Sequence, residues 1–167
     1  MMTSSRARAQ TWPHPRHRDF ERQLQEAAET WFAAKGYAVR LKSPYVLDSW
    51  KHWEWNIILP DVVAYVREER RQRKARRQGF ALHNYIHHGL SSQAMLFNLV
   101  GPLIVNGDLE PLRRTFARQG IVWPEEELSA SFEYEDRTVF NEDTGQPTSI
   151  DLVLKDGSDT PCLFIEG

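Results

Sequence analysis

The chain has 167 residues and a mass of 19.5 kDa, the size of one domain. Its 41% hydrophobic, 26% charged and 11% aromatic residues exclude a disordered or fibrous chain. A single Cys162 rules out an intramolecular disulfide and a cysteine-pair zinc site. The first 30 residues lack the apolar run of about 7–15 residues that a signal peptide needs, and no run of about 18 apolar residues exists to span a membrane. A cytoplasmic protein is expected.

The net charge of −2 hides an asymmetry. Residues 1–107 carry 16 Lys/Arg against 9 Asp/Glu, a net +7, whereas residues 108–167 carry 5 against 14, a net −9. Opposed lobes of this kind suit a protein that holds a polyanion with one part and cations with another; chance clustering with attraction between the halves is the plain alternative.

In chain order, residues 1–18 are rich in Arg, Ser, Thr and Pro without periodicity and read as a flexible basic arm. From Asp19, Phe20, Leu24, Ala27, Ala28, Trp31 and Phe32 recur at helical spacing up to a stop at Gly36. A short strand is expected at Tyr37–Leu41, then an irregular stretch from Ser43-Pro44 through Trp50, Trp53 and Trp55. Pro60 and Asp61 open a second helix, to about Gln78. Past Gly79 a short helical piece carries Leu82, Tyr85 and Ile86. Leu90-Ser91-Ser92-Gln93 then reads as an N-cap ahead of a buried helix bearing Ala94, Leu96, Phe97, Leu99, Val100 and Leu103, and Leu109–Gln119 forms one more.

After Trp123-Pro124 the period changes to two, and Ser129–Glu135, Thr148–Lys155 and Cys162–Gly167 read as strands separated by turn-forming Asn141–Gly145 and Asp156–Asp159. The expected organisation is a basic arm (1–18), a helical region (19–120) and a β-meander (121–167), together an α+β fold.

The last two strands place two acids together. With Asp156 opposite Pro161, Lys155 faces Cys162, Val153 faces Phe164 and Asp151 faces Glu166, with Cβ atoms about 4.5–5.5 Å apart. Facing like charges destabilise a sheet unless a cation or a raised pKa compensates. A hard divalent ion is one compensation. A register shifted by two, or a solvent-facing pair neutralised by a nearby Lys or Arg, is the other reading.

The run Ser149-Ile150-Asp151-Leu152-Val153-Leu154, a turn and Leu163-Phe164-Ile165-Glu166-Gly167 resembles the signature of the PD-(D/E)xK, or restriction-endonuclease-like, nuclease superfamily. Leu90-Ser91-Ser92-Gln93 with the following helix, and the Phe132-Glu133-Tyr134 strand, resemble a little-characterised bacterial group within it. The resemblance spans roughly residues 80–167. It implies the three-stranded antiparallel start of an αβββαβ core, incomplete at the C-terminus, and a DNA endonuclease of restriction or defence that depends on Mg²⁺ or Mn²⁺. Asp151 and Glu166 match the catalytic, metal-binding carboxylates, Glu133 is a third acidic ligand, and the cation activates water and stabilises the charge of the transition state. The implied partner is DNA, double-stranded, with a homodimer left open and no membrane. The pattern's Lys falls just after Gly167, so the resemblance implies a chain truncated before it. Lys155, four residues or about 13 Å along the strand from Asp151, is a poor substitute, and whether the chain is an enzyme depends on the missing Lys.

The run Arg67–Arg77 holds seven basic residues, Arg67, Arg70, Arg71, Arg73, Lys74, Arg76 and Arg77, and two acidic ones. That is enough to neutralise several phosphates or to form a solvated surface. His83 and His87 stand at i, i+4, a metal-binding spacing on a helix, but with His88 they are expected to serve packing and polar contacts. The three Trp residues suit core or rim better than base stacking. Two other classes stay open: a non-catalytic nucleic-acid-binding module built on the arginine helix, and a protein-interaction domain.

Overall fold

The computed structural model describes residues 15–124, 127–138, 142 and 148–166. Helix α1 (Pro15–Lys35) starts four residues before Asp19, within the stretch read as an arm; the rest of that arm lies outside the described residues. Gly36, at φ +67°, ends the helix, and the Tyr37 N–H donates to the Phe32 carbonyl.

Strand β1 (Val39–Arg40) falls within the strand expected at Tyr37–Leu41, and β2 (Ser43–Leu47), where an irregular stretch was expected, pairs with it in a small antiparallel sheet. Partners distant in sequence supply the reason. The Leu47 N–H donates to the His87 carbonyl, Val46 bridges His88, and both apolar side chains are buried. The 3₁₀ helix Trp50–Asn56 follows, capped by Ser49, and buries Trp53. Trp55 stacks between Tyr37 and His52. Trp53 and Trp55 thus serve packing, as expected.

Helix α2 (Pro60–Ala75) buries Val62 and Val66 and ends three residues short of the expected Gln78. Residues 79–91 contain no helix: the expected short one is replaced by turns and the Val46–His88 bridge. Helix α3 (Ser92–Asn106) has the expected cap, with Ser91 Oγ accepting from the Ala94 N–H, and helix α4 (Glu110–Arg118) follows. Strands β3 (Ser129–Glu135), β4 (Ser149–Lys155) and β5 (Pro161–Ile165) form an antiparallel sheet with β4 in the centre. The fold is α+β, a helical part leading into a meander. Of the expected turn Asn141–Gly145, only Glu142 is described.

The core lies between α2, α3 and the sheet. The Phe97 and Phe132 rings meet at 4.9 Å, and Tyr65, Val62, Val66, Val100 and Leu152 close around them. A Cβ on Gly101 would stand 2.5 Å from Val62 Cγ1, so glycine is what lets α3 approach α2. Gly101→Ala is therefore expected to destabilise by about 1–2 kcal/mol, overpacking outweighing the gain in helix propensity. In a double-mutant cycle with Val62→Ala the two costs should sum to about 1 kcal/mol more than the double variant loses, measured by urea unfolding.

Candidate metal centre

Strands β3 and β4 pair in one constant register, Ser131 with Val153, Phe132 with Leu152 and Tyr134 with Ile150. Continuing that register sets Glu133 opposite Asp151. Both are buried, at 1% and 8% exposure, in the middle of a sheet where apolar side chains would normally sit.

Glu133 reaches this position through an unusual backbone. Its φ is +52°, a left-handed conformation that costs a non-glycine residue about 1–2 kcal/mol. In a regular strand successive carbonyls point to opposite sides; here the carbonyls of Phe132 and Glu133 both accept from the Arg73 guanidinium, each at 2.6 Å. The same fork donates to Ser131 Oγ at 2.5 Å and to Glu69 at 3.1 Å. Arg73 thus holds the edge strand β3 in its distorted shape.

The Glu133 carboxylate itself has only neutral hydrogen-bond partners among the described residues. Gln93 Nε2 donates to Oε1 at 2.6 Å and Ser149 Oγ to Oε2 at 2.8 Å. Burial pushes its pKa above the usual carboxylate range, and the Asp151 charge adds to that; the two hydrogen bonds and His83 pull the other way. Glu166, just past the end of β5, lies beside Asp151, and burial followed by the Asp151 charge raises its pKa as well.

The structure therefore brings the three acids named from sequence to one end of the meander. Val153 faces Phe164 as expected, but a bulge sets Lys155 opposite Pro161 instead of Cys162. The Asp156 carboxylate causes it by accepting from the N–H groups of Ser158 and Thr160 and drawing the turn out. Lys155 Nζ is held by Asp159 at 3.0 Å and lies over the Tyr134 ring, which keeps it out of the acidic cluster.

Sequence reasoning missed two residues. His83 brings a ring nitrogen to the acids: one ligand atom each from His83, Glu133 and Asp151 lie within 4.8 Å of one another. Gln93, 1% exposed, links the segments, its Oε1 accepting from the His83 N–H at 2.9 Å while its Nε2 holds Glu133 and the Ala81 carbonyl. The i, i+4 reading of His83 and His87 fails because no helix joins them. His87 Nε2 accepts from Arg40 at 3.1 Å, and its ring packs against His88; burial lowers the pKa of both. Nothing in the sequence spacing ties His83 to Glu133, fifty residues on.

The donor set fits a divalent cation. Two buried carboxylates side by side, one with its proton affinity raised by desolvation, are what a hard doubly charged ion relieves.

The basic run is divided by its surroundings. Arg67 pairs with Glu54, Arg71 pairs with Glu68 at 2.6 Å, and Arg73 is bound to β3. Arg70, Lys74, Arg76 and Arg77 have no ion pair among the described residues. Arg70 lies 6.0 Å over the Trp53 ring, and it joins Arg67, Arg71, Lys74, Arg77 and Phe80 around a cavity of about 550 Å³. A larger cavity of about 770 Å³, between the end of α2 and β3, is lined by Arg73, Arg76, Arg77 and Tyr134 but by neither Glu133 nor His83.

A carboxylate whose folded pKa is raised stabilises the fold most below its ordinary range, and that contribution disappears as pH rises through the folded value. Glutamine at position 133 keeps both hydrogen bonds without the charge. In chelator-treated buffer Glu133→Gln should therefore gain on the wild type as pH rises from 5 to 8, followed by urea unfolding at each pH. A constant gap would mean that the carboxylate is not desolvated.

No curated protein and no solved structure matches the chain. One family model matches residues 24–166, from α1 through the acidic cluster, and its description is Restriction Endonuclease associating with ARP. The chain belongs to that restriction-endonuclease-related family.

Proposed function

We propose that the chain carries the divalent-cation site of a DNA endonuclease of the PD-(D/E)xK type, acting in restriction or defence. The observation that carries this reading is the burial of Glu133 opposite Asp151, with Glu166 beside Asp151. A sheet tolerates such a constellation when a cation is its partner. Asp151, Glu166 and Glu133 would hold Mg²⁺ or Mn²⁺. When bound, the ion supplies Lewis acidity for hydrolysis of a phosphodiester.

The chain's own residues do the rest. Gln93 and Ser149 fix both oxygens of Glu133, and Arg73 fixes the backbone that presents it. Arg70, Lys74, Arg76 and Arg77 attract and seat the DNA backbone, sequence-independently and in a salt-dependent way. Membership of the restriction-endonuclease-related family supports the nucleic-acid partner. Lys155 is engaged by Asp159 and Tyr134 and takes no part.

Incubated with supercoiled plasmid and Mg²⁺ or Mn²⁺, the full-length protein should yield open-circular product, and Asp151→Asn should reduce it at least 100-fold. Product independent of metal or of Asp151 would overturn the hydrolytic reading.

The charges on α2 are tested separately. Replacing Arg70, Lys74, Arg76 and Arg77 by Ala should weaken duplex DNA binding and reduce the slope of log K against log salt by about 3–4. Replacing Arg67 and Arg71, already neutralised within the fold, should change the slope by about one or less. Equal effects of the two sets, measured by fluorescence anisotropy across a salt series, would place the DNA elsewhere.

A further inference from the structure

We infer that His83 is a nitrogen ligand of the Glu133–Asp151 site, and that the site therefore prefers Mn²⁺ to Mg²⁺. This rests on the proposal that the carboxylates hold a divalent ion, and it goes beyond it in naming a ligand and a selectivity.

The first support is distance. Ligand atoms of His83, Glu133 and Asp151 all fall within 4.8 Å of one another. Opposite ligands on a first-row divalent ion stand about 4.0–4.4 Å apart, from bond lengths of about 2.0–2.2 Å. Only one pair among three ligands can stand opposite each other and neighbouring ligands stand about 3 Å apart, so the three atoms reach one ion by side-chain adjustments of up to roughly 1–2 Å.

The second support is the way the loop is held. The His83 ring is exposed, but its backbone is fixed at both ends: the N–H donates to Gln93 Oε1 at 2.9 Å, and the carbonyl accepts from Trp50 Nε1 at 3.1 Å and from the Ile86 N–H at 3.0 Å. Gln93 is buried at 1% exposure, and its other amide atom holds Glu133 Oε1. One buried side chain thus sets the spacing between a histidine on a loop and a glutamate on a strand. Supporting hydrogen bonds that orient ligands from different elements are typical of metal centres. A merely structural Gln93 would account for the tie to the Ala81 carbonyl, but not for a ring nitrogen and two buried carboxylates converging beyond it.

Selectivity follows from ligand chemistry. Mg²⁺ prefers all-oxygen surroundings and keeps its waters, whereas imidazole nitrogen favours first-row transition ions, among which Mn²⁺ also accepts carboxylates. One nitrogen beside two carboxylates shifts the balance toward Mn²⁺.

The test is isothermal titration of the full-length protein with MnCl₂ and, separately, MgCl₂, for the wild type, His83→Ala and the Glu133→Gln/Asp151→Asn double variant, each checked for fold by circular dichroism. The wild type is expected to bind Mn²⁺ at least 10-fold more tightly than Mg²⁺. His83→Ala should lose about 10-fold in Mn²⁺ affinity while Mg²⁺ affinity stays within about threefold, and the double variant should bind neither ion. Gln93→Leu, which leaves all three ligands in place but unlinked, should weaken Mn²⁺ binding too. If His83→Ala binds both ions as the wild type does, or loses both equally, the inference is overturned while the carboxylate site stands. If the wild type binds neither ion, the metal reading and the inference fail together.

Discussion

The structure turns on two carboxylates that face each other inside a sheet. Glu133 and Asp151 are buried where apolar side chains would normally sit, and neither strand is at liberty to slip, because Phe132 and Leu152 beside them are fully buried in the core. A one-residue shift would send those two to the other face. The hydrophobic register and the acidic pair therefore fix each other. The left-handed Glu133 and the Arg73 fork are the local means by which β3 presents the acid.

Arg73 is notable for what it does not touch. Its guanidinium lies within reach of β3, yet it donates to three carbonyls, those of Gly79, Phe132 and Glu133, to a hydroxyl and to Glu69, and not to the Glu133 carboxylate. A direct ion pair would quench the charge of the site and lower the acid's pKa. As built, a cation supports the backbone while the carboxylate keeps neutral partners and a raised pKa. Positioning and neutralisation are thus separated, which leaves the charge of Glu133 for another partner.

Much of the architecture was legible because it rests on local physics. The Ser91 cap, the glycine stop after α1, the proline start of α2 and the three strands of the meander follow from capping chemistry and from a period that changes from helical to two. What was not legible depends on partners distant in sequence. Ser43–Leu47 becomes a strand because His87 and His88 offer backbone groups to it. His83 reaches the acids through a turn that Gln93 and Trp50 hold, and no spacing rule spans fifty residues of intervening fold. Lys155 misses Cys162 because the Asp156 carboxylate reshapes the turn, a side-chain effect that counting residues across a hairpin does not contain. Asp151, Glu166 and Glu133 were recognisable as a set from the strand pattern and its resemblance, but the left-handed turn at Glu133 leaves no trace in composition.

The charge asymmetry of the sequence has a narrower meaning in three dimensions. Seven basic residues on α2 and the turn after it read as one patch, yet three of them are occupied by Glu54, Glu68 and the backbone of β3. The remaining four sit on the C-terminal half of the helix and just beyond it, flanking the residue whose guanidinium shapes β3. The helix and the turn after it thus carry the charges that have no ion pair among the described residues and, through Arg73, set the strand that carries Glu133, so the polyanion proposed for those charges would sit at a fixed offset from the acids. That offset comes from the packing of α2 against the sheet, with Tyr65 on the Phe132 ring and Arg73 on the carbonyls of Phe132 and Glu133.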